Sequence, residues 1–150
     1  MLIYRISKNN YAKKLAASGK ENRWNTGEIY VIYCASSLCL ASLEVVVNTS
    51  GKLLINQHFS SVIIEIPEKI TTTIVDVKTL PATWKEIEQK SYTQQIGDNW
   101  YNKQETLLLQ VPSAIISREV NYLINTKHPD FSNVLIAEID SFMFDRRIKS

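Results

Sequence analysis

Leu2 to Ile6 is a short run of strand-forming residues with Tyr4 and Arg5 inside it, and it reads as a β-strand. Tyr11 to Ala17 carries a weak helical spacing that Gly19 ends. Lys20 to Gly27 is polar, with turn chemistry at both ends. Glu28 to Cys34 alternates with β-branched and aromatic residues and predicts a second strand. Ser36 or Ser37 then stands where a helix running to about Asn48 would be capped, with Gly51 as its stop. Val62 to Ile66 is a further strand, stopped by Pro67.

In the second half, Thr71 to Val77 is β-rich but mixed, and Leu80-Pro81 marks a boundary. Trp84 to Gln89 and Tyr92 to Gln104 predict short helices, and Leu107 to Val111 a strand ending at Pro112. Arg118 to Ile124 reads as a short helix or turn. Val134 to Phe144 alternates apolar with polar positions and predicts a long closing strand or hairpin. Strands and helices do not strictly alternate, so the pattern favours an α+β fold over a doubly wound sheet. No repeat period is visible, and 150 residues suit a single domain, 1–150.

Composition narrows the function class. The net charge of +2 comes from dispersed residues, with Lys13-Lys14 and Arg146-Arg147 as pairs rather than tracts. Direct nucleic-acid binding, which needs a basic stripe or cluster, is not expected. Cys34 and Cys39 flank a strand-to-helix junction without zinc-ligand spacing, and are expected to be reduced packing thiols. No apolar run approaches membrane-spanning length and Met1 to Arg5 has no secretory h-region, so a cytoplasmic protein is expected.

Three segments carry candidate chemistry. Leu38 to Val47 is apolar nearly all round as a helix, which predicts burial on most faces, yet Glu44 sits in its middle. A carboxylate there needs a partner or a ligand, unless it lies on a polar stripe with Ser37 and Ser42 facing solvent. Arg23-Trp24-Asn25 lies in a loop, where the guanidinium offers a planar fork for phosphate and the indole a surface for stacking. The alternative is a core-anchoring Trp24 beside a surface arginine. Ser113, just past Pro112, leaves a hydroxyl at a strand end where it can orient a ligand. No Gly-x-Ser-x-Gly surrounds it, and neither His58 nor His128 has an acid or nucleophile beside it, so no hydrolase triad is expected. The glycines never fall at Gly-x-Gly spacing, which argues against a dinucleotide carrier site.

Together the segments resemble the RES-domain family, named for its Arg, Glu and Ser. The resemblance runs in order through Tyr4-Arg5-Ile6, Arg23-Trp24-Asn25-x-Gly27, Val31-Ile32-Tyr33-x-Ala35 and Leu40-Ala41-x-Leu43-Glu44. It continues through Leu80-Pro81-x-x-Trp84, Gln95-Ile96-Gly97-Asp98-x-Trp100, Val111-Pro112-Ser113-Ala114, Asn121-Tyr122-Leu123-Ile124-Asn125 and His128-Pro129-Asp130-Phe131. One departure is Thr126, where the family usually has proline, which predicts a looser turn after Asn125.

The resemblance implies a toxin paired with an Xre-type helix-turn-helix antitoxin in an oligomeric complex. It implies a fold similar to ADP-ribosyltransferase domains, with NAD+ in a cleft of a split mixed β-sheet flanked by short helices. The implied activity is cleavage of the nicotinamide–ribose bond of NAD+, by phosphorolysis or hydrolysis. NAD+ is then a consumed substrate, inorganic phosphate a possible co-substrate, and no metal is expected. The catalytic residues map to Arg23, Tyr33, Glu44 and Ser113, and the NAD-binding residues to Arg5, Trp24, Asn25, Asn121 and Asn125. Rival readings are a protein ADP-ribosyltransferase and an inactive module that binds only its antitoxin.

Overall fold

The computed structural model describes residues 1–149. They run β1 (Leu2–Lys8), α1 (Asn9–Ala12), β2 (Val31–Ala35), α2 (Leu38–Asn48), α3 (Gly51–Asn56), β3 (Phe59–Glu65) and β4 (Thr72–Ile74). Then follow α4 (Lys90–Lys103), β5 (Leu108–Pro112), β6 (Val120–Asn125) and β7 (Leu135–Phe142). The strands form one mixed sheet ordered β4-β5-β6-β2-β1-β3-β7. β4 and β5 are parallel, and every other neighbouring pair is antiparallel.

The sheet is split. β1 zips to β3 from Leu2↔Glu65 to Lys8↔Phe59, and β2 to β6 from Val31↔Asn125 to Ala35↔Asn121. β1 and β2 meet at the single pair Tyr4↔Ala35. The α+β split sheet expected above is therefore the observed one.

Pairing fixes which side chains share a face, because direction alternates along each strand. Tyr4, Ala35, Asn121 and Val111 are cross-strand partners and lie on one face. Over the β1–β3 half of that face sit α2 and α3, with Ile6, Leu40, Ala41, Leu54 and Phe59 buried between. Over the β2–β6–β5 half sits α4, with Trp24, Trp84, Trp100, Tyr101, Leu109 and Leu123. The opposite face buries Ile3, Ile32, Cys34, Val62, Ile64, Leu108 and Ile124 under α1 and the chain that follows it. Each fully buried Leu, Ile or Val contributes roughly 1.5–3 kcal/mol. Two helical layers on one face leave a seam between them above β2.

Several expectations are corrected. The helix expected at Tyr11–Ala17 is one turn, Asn9–Ala12. Arg118–Ile124 is the inner strand β6 instead of a helix or turn. Gly51 does not end a helical region; Ser50 caps a new helix whose first residue is Gly51, accepting from the Leu53 N–H. α2 is less buried than its apolar sequence predicts, with Leu40 and Ala41 its buried residues. Trp84–Gln89 is a turn followed by a 3-10 segment at Ile87–Gln89. Cys34 is buried as expected of a packing thiol, but Cys39 is exposed. Among the described residues no helix is long and apolar enough to cross a membrane.

Candidate functional site

Ser37 starts α2 by accepting the Leu40 N–H at 3.1 Å, and its own hydroxyl donates to Glu119 Oε2 at 3.1 Å. Glu44 follows two turns later, half-buried. The Asn121 amide of β6 donates to its Oε1 at 2.8 Å. This bond orients the carboxylate over the sheet, and it fixes the amide itself, since a flipped amide would set oxygen against carboxylate. Asn121 Oδ1 is then left buried without a donor among the described residues.

Arg23 and Trp24 occupy the tip of a four-residue turn. Asn22 and Asn25 close it with paired backbone bonds, Asn22 N–H to Asn25 O at 2.9 Å and Asn25 N–H to Asn22 O at 3.4 Å. The turn lies on α4. Gln94 Nε2 donates to both Asn22 O and Asn25 O, at 2.9 and 3.0 Å, and Thr93 Oγ1 donates to Arg23 O at 2.6 Å. Gly97 leaves room for Trp24 O, which would lie 1.7 Å from any Cβ there. Asp98 accepts from the Thr26 N–H and hydroxyl.

Tyr33 of β2 joins the two sides. Its hydroxyl donates to Asn25 Oδ1 at 2.6 Å and accepts the Trp24 N–H at 3.3 Å. Burial pushes this phenol far above its ordinary value; the Trp24 N–H opposes that, Asp98 adds to it, and the charges of Arg23 and Glu44 act with opposite signs. Tyr33 therefore stays protonated and lies within electrostatic reach of both Arg23 and Glu44. The Arg23 guanidinium donates from Nη1 to Lys85 O at 2.9 Å and Trp84 O at 3.4 Å, with its carbon 5.6 Å from the Trp84 ring centroid.

Hydrogen bonds tie Tyr33 to the Arg23 turn and Glu44 to Asn121, and the charges of Arg23 and Glu44 both act on Tyr33. Ser113 follows Val111 two positions on along the same face, 1% exposed. Its Oγ accepts the N–H groups of Ile115 and Ile116, at 3.1 and 3.0 Å, so its own hydrogen is what it has to give. Other candidates lie elsewhere. Arg5 follows Tyr4 and so projects from the opposite face, where its charge acts on Cys34. The Trp24 indole is 3% exposed and packs at 5.8 Å against Trp84, which takes it out of reach of a stacking ligand. Asn25 is consumed within the turn, donating to Lys20 O and Thr26 O. Asn125 is 0% exposed, donating to Tyr101 O and accepting the Lys127 N–H. Nor is the turn after it loose, because the Thr126 hydroxyl and N–H both donate to Tyr30 O. Sequence reasoning missed Thr93 and Gln94, whose signal was slight: with Gly97 and Asp98 they recur at helical spacing along one face of a mostly polar helix.

A family model described as the RES domain matches residues 2–146. "Prs ADP-ribosylating toxin" of Sphingobium sp. (strain YBL2) is 34% identical over 129 residues, covering 84% of this chain and 79% of that protein. "Toxin Res" of Photorhabdus laumondii is 30% identical over 100% of this chain and 99% of its own length, and "Toxin Res" of Yersinia enterocolitica 32% over 99% and 100%. A chain in the crystal structure of the M. tuberculosis MbcT–MbcA toxin–antitoxin complex superposes with a TM-score of 0.75, covering 95% of this chain and 84% of that one at 15% identity. By the extent of these matches, this chain belongs to the RES-domain family.

Proposed function

We propose that the protein is the toxin of a toxin–antitoxin pair and acts by cleaving the nicotinamide–ribose bond of NAD+. The observation that carries this reading is a fixed carboxylate, Glu44 held by Asn121, whose charge acts on Tyr33 together with that of the Arg23 guanidinium. The names of the Photorhabdus and Yersinia relatives support the toxin role.

Breaking the bond from ribose C1′ to the pyridinium nitrogen sends the electron pair to nitrogen, so nicotinamide leaves neutral and the ribose becomes oxocarbenium-like. A carboxylate beside that ribose is worth more in the transition state than in the ground state, which is the condition for catalysis. Glu44 takes this role. Glycosidases set carboxylates against a similar cation, an analogy of chemistry rather than fold. Arg23 holds a phosphate of the dinucleotide or the incoming phosphate, and Ser113 orients the ribose or Glu44. The acceptor oxygen, from water or inorganic phosphate, closes on C1′ and sheds its proton. An antitoxin, expected to be of the Xre type, silences the reaction by covering the seam.

A second reading, transfer of ADP-ribose to a protein, is favoured by the name of the Sphingobium relative. One experiment separates the readings. Antitoxin-free protein is given NAD+ labelled in its adenylate half, with and without millimolar phosphate and with cell extract. Nicotinamide release with label in a small product supports phosphorolysis or hydrolysis, and phosphate dependence distinguishes those two. Label on a protein band supports transfer. No nicotinamide under any condition overturns the enzyme reading.

A further inference from the structure

The turn that carries Arg23 is held from below through its carbonyls. Asn22 O and Asn25 O share the two hydrogens of Gln94 Nε2, and Arg23 O takes the Thr93 hydroxyl. Trp24 O lies against Gly97. All four residues of the turn thus present their carbonyl oxygens to one face of α4. Both donors are buried, so their bonds form away from competing water.

The far end of Arg23 is held as well. Its two Nη1 hydrogens meet Lys85 O and Trp84 O. Among the described residues nothing accepts from Nε or Nη2. That leaves the Nε–Nη2 edge, which carries the parallel donor geometry for two oxygens of one phosphate. An edge fixed at both ends grips an anion without ordering itself first.

We propose that Gln94, assisted by Thr93, is a positioning residue for Arg23: it sets the Asn22–Asn25 turn so that the Nε–Nη2 edge faces the substrate's phosphate. This rests on the reading of Arg23 as the phosphate-holding residue. Gln94 itself touches the turn backbone and acts through Arg23.

The test uses ADP-ribose as the probe, by calorimetry on antitoxin-free protein, with NAD+ turnover measured alongside. Gln94→Met keeps the chain length and removes the bonds to Asn22 O and Asn25 O, along with the 3.5 Å bond to Glu21 Oε2. Its affinity for ADP-ribose should fall by about tenfold or more, since misplacement by about an ångström costs up to ~10²-fold. The loss should fall on KM more than on kcat, as expected when binding common to ground and transition states is removed. In an Arg23→Ala background the same change should cost nothing further, because the residue it positions is gone. Thr93→Val should weaken binding in the same sense, and Thr93→Ser, which keeps the hydroxyl, should restore it; this pair carries the test if Gln94→Met fails to fold. Equal losses with and without Arg23, or unchanged affinity in folded Gln94→Met and Thr93→Val, would overturn the proposal while leaving the NAD+ reading standing. Wild type that does not bind ADP-ribose, or Arg23→Ala that binds it as well as wild type, removes the phosphate-holding reading and this proposal together.

Discussion

Among the described residues Glu44 makes one side-chain hydrogen bond, from an amide, and that bond decides how to test it. Glutamine at this position still offers an oxygen to Asn121, so Glu44→Gln should melt within a few degrees of wild type. If the charge steadies an oxocarbenium-like ribose, kcat should fall by roughly 10²-fold or more, the loss typical of removing one preorganised electrostatic group. A variant that folds and turns over NAD+ at near wild-type rate would exclude Glu44 as the catalytic carboxylate. Tyr33 calls for the opposite expectation. Tyr33→Phe strands the Trp24 N–H and Asn25 Oδ1, at roughly 1–3 kcal/mol for each buried group left unpaired. Melting temperature should drop along with activity, and a variant as stable as wild type would show that the turn does not depend on the phenol. The sequence singled out Arg23, Tyr33, Glu44 and Ser113 as candidates because each stands within a segment that resembles the family's. It offered a core-anchoring Trp24 as the alternative, which its burial bears out, but could not say that Asn25 and Asn125 face inward, since a polar residue reads the same whether it meets ligand or backbone.

At the scale of elements, the join between α4 and the Arg23 turn is the tightest in the site. An alanine at Gly97 would add a little helix propensity, at most about 1 kcal/mol. It would also set a methyl 1.7 Å from Trp24 O, a backbone atom that cannot rotate away. Overpacking commonly costs about 1–3 kcal/mol even where side chains can yield, so the clash outweighs the propensity gain. Gly97→Ala should therefore melt well below wild type and lose activity beyond its folded fraction; equal melting temperatures would show that the turn can lift off α4. The same scale shows which elements the pattern disclosed. β7 was legible because its residues alternate apolar with polar positions. β6 was not: it is flanked by β5 and β2, and it carries Asn121 and Asn125, residues depleted in strands, because one holds Glu44 and the other bonds inside the core. The helical spacing runs on past α1 because Leu15 and Ala17 also pack on the core, but they do so at alternate positions of a non-helical chain. Gly51 was mistaken for a stop because a glycine after a helix usually is one, whereas here Ser50 caps the next helix.

For the molecule as a whole, β2 sits at the centre of the strand order and carries an ionisable group on each face, the partly buried Tyr33 toward the seam and the buried Cys34 toward the opposite core. Burial pushes the Cys34 thiol from 9.0 up to about 12, with the Arg5 charge opposing. Tyr33 is raised from 10.0 by burial above all. Both shifts favour the protonated, uncharged form in the folded chain. Below pH 9 the thiol is protonated whether the chain is folded or not, and its contribution to stability is complete. As pH rises past 9 the unfolded chain releases that proton while the folded chain keeps it. The unfolded state then binds fewer protons, and stability falls by about 1.4 kcal/mol for each pH unit per group. The urea midpoint should stay level from pH 7 to 8.5 and decline from pH 9, with a steeper limb once Tyr33 joins near pH 10. Between pH 9 and 10 the decline belongs mainly to Cys34, so Cys34→Ala, whatever its cost from lost packing at pH 7, should flatten that window and leave the later limb. Native-state alkylation at pH 8 supplies an independent reading: the exposed Cys39 should react and Cys34 should not until urea unfolds the chain. Parallel curves for wild type and Cys34→Ala from pH 9 to 10, or prompt labelling of both thiols in the folded protein, would show that the core around β2 admits water and that burial does not set the alkaline limit of the fold.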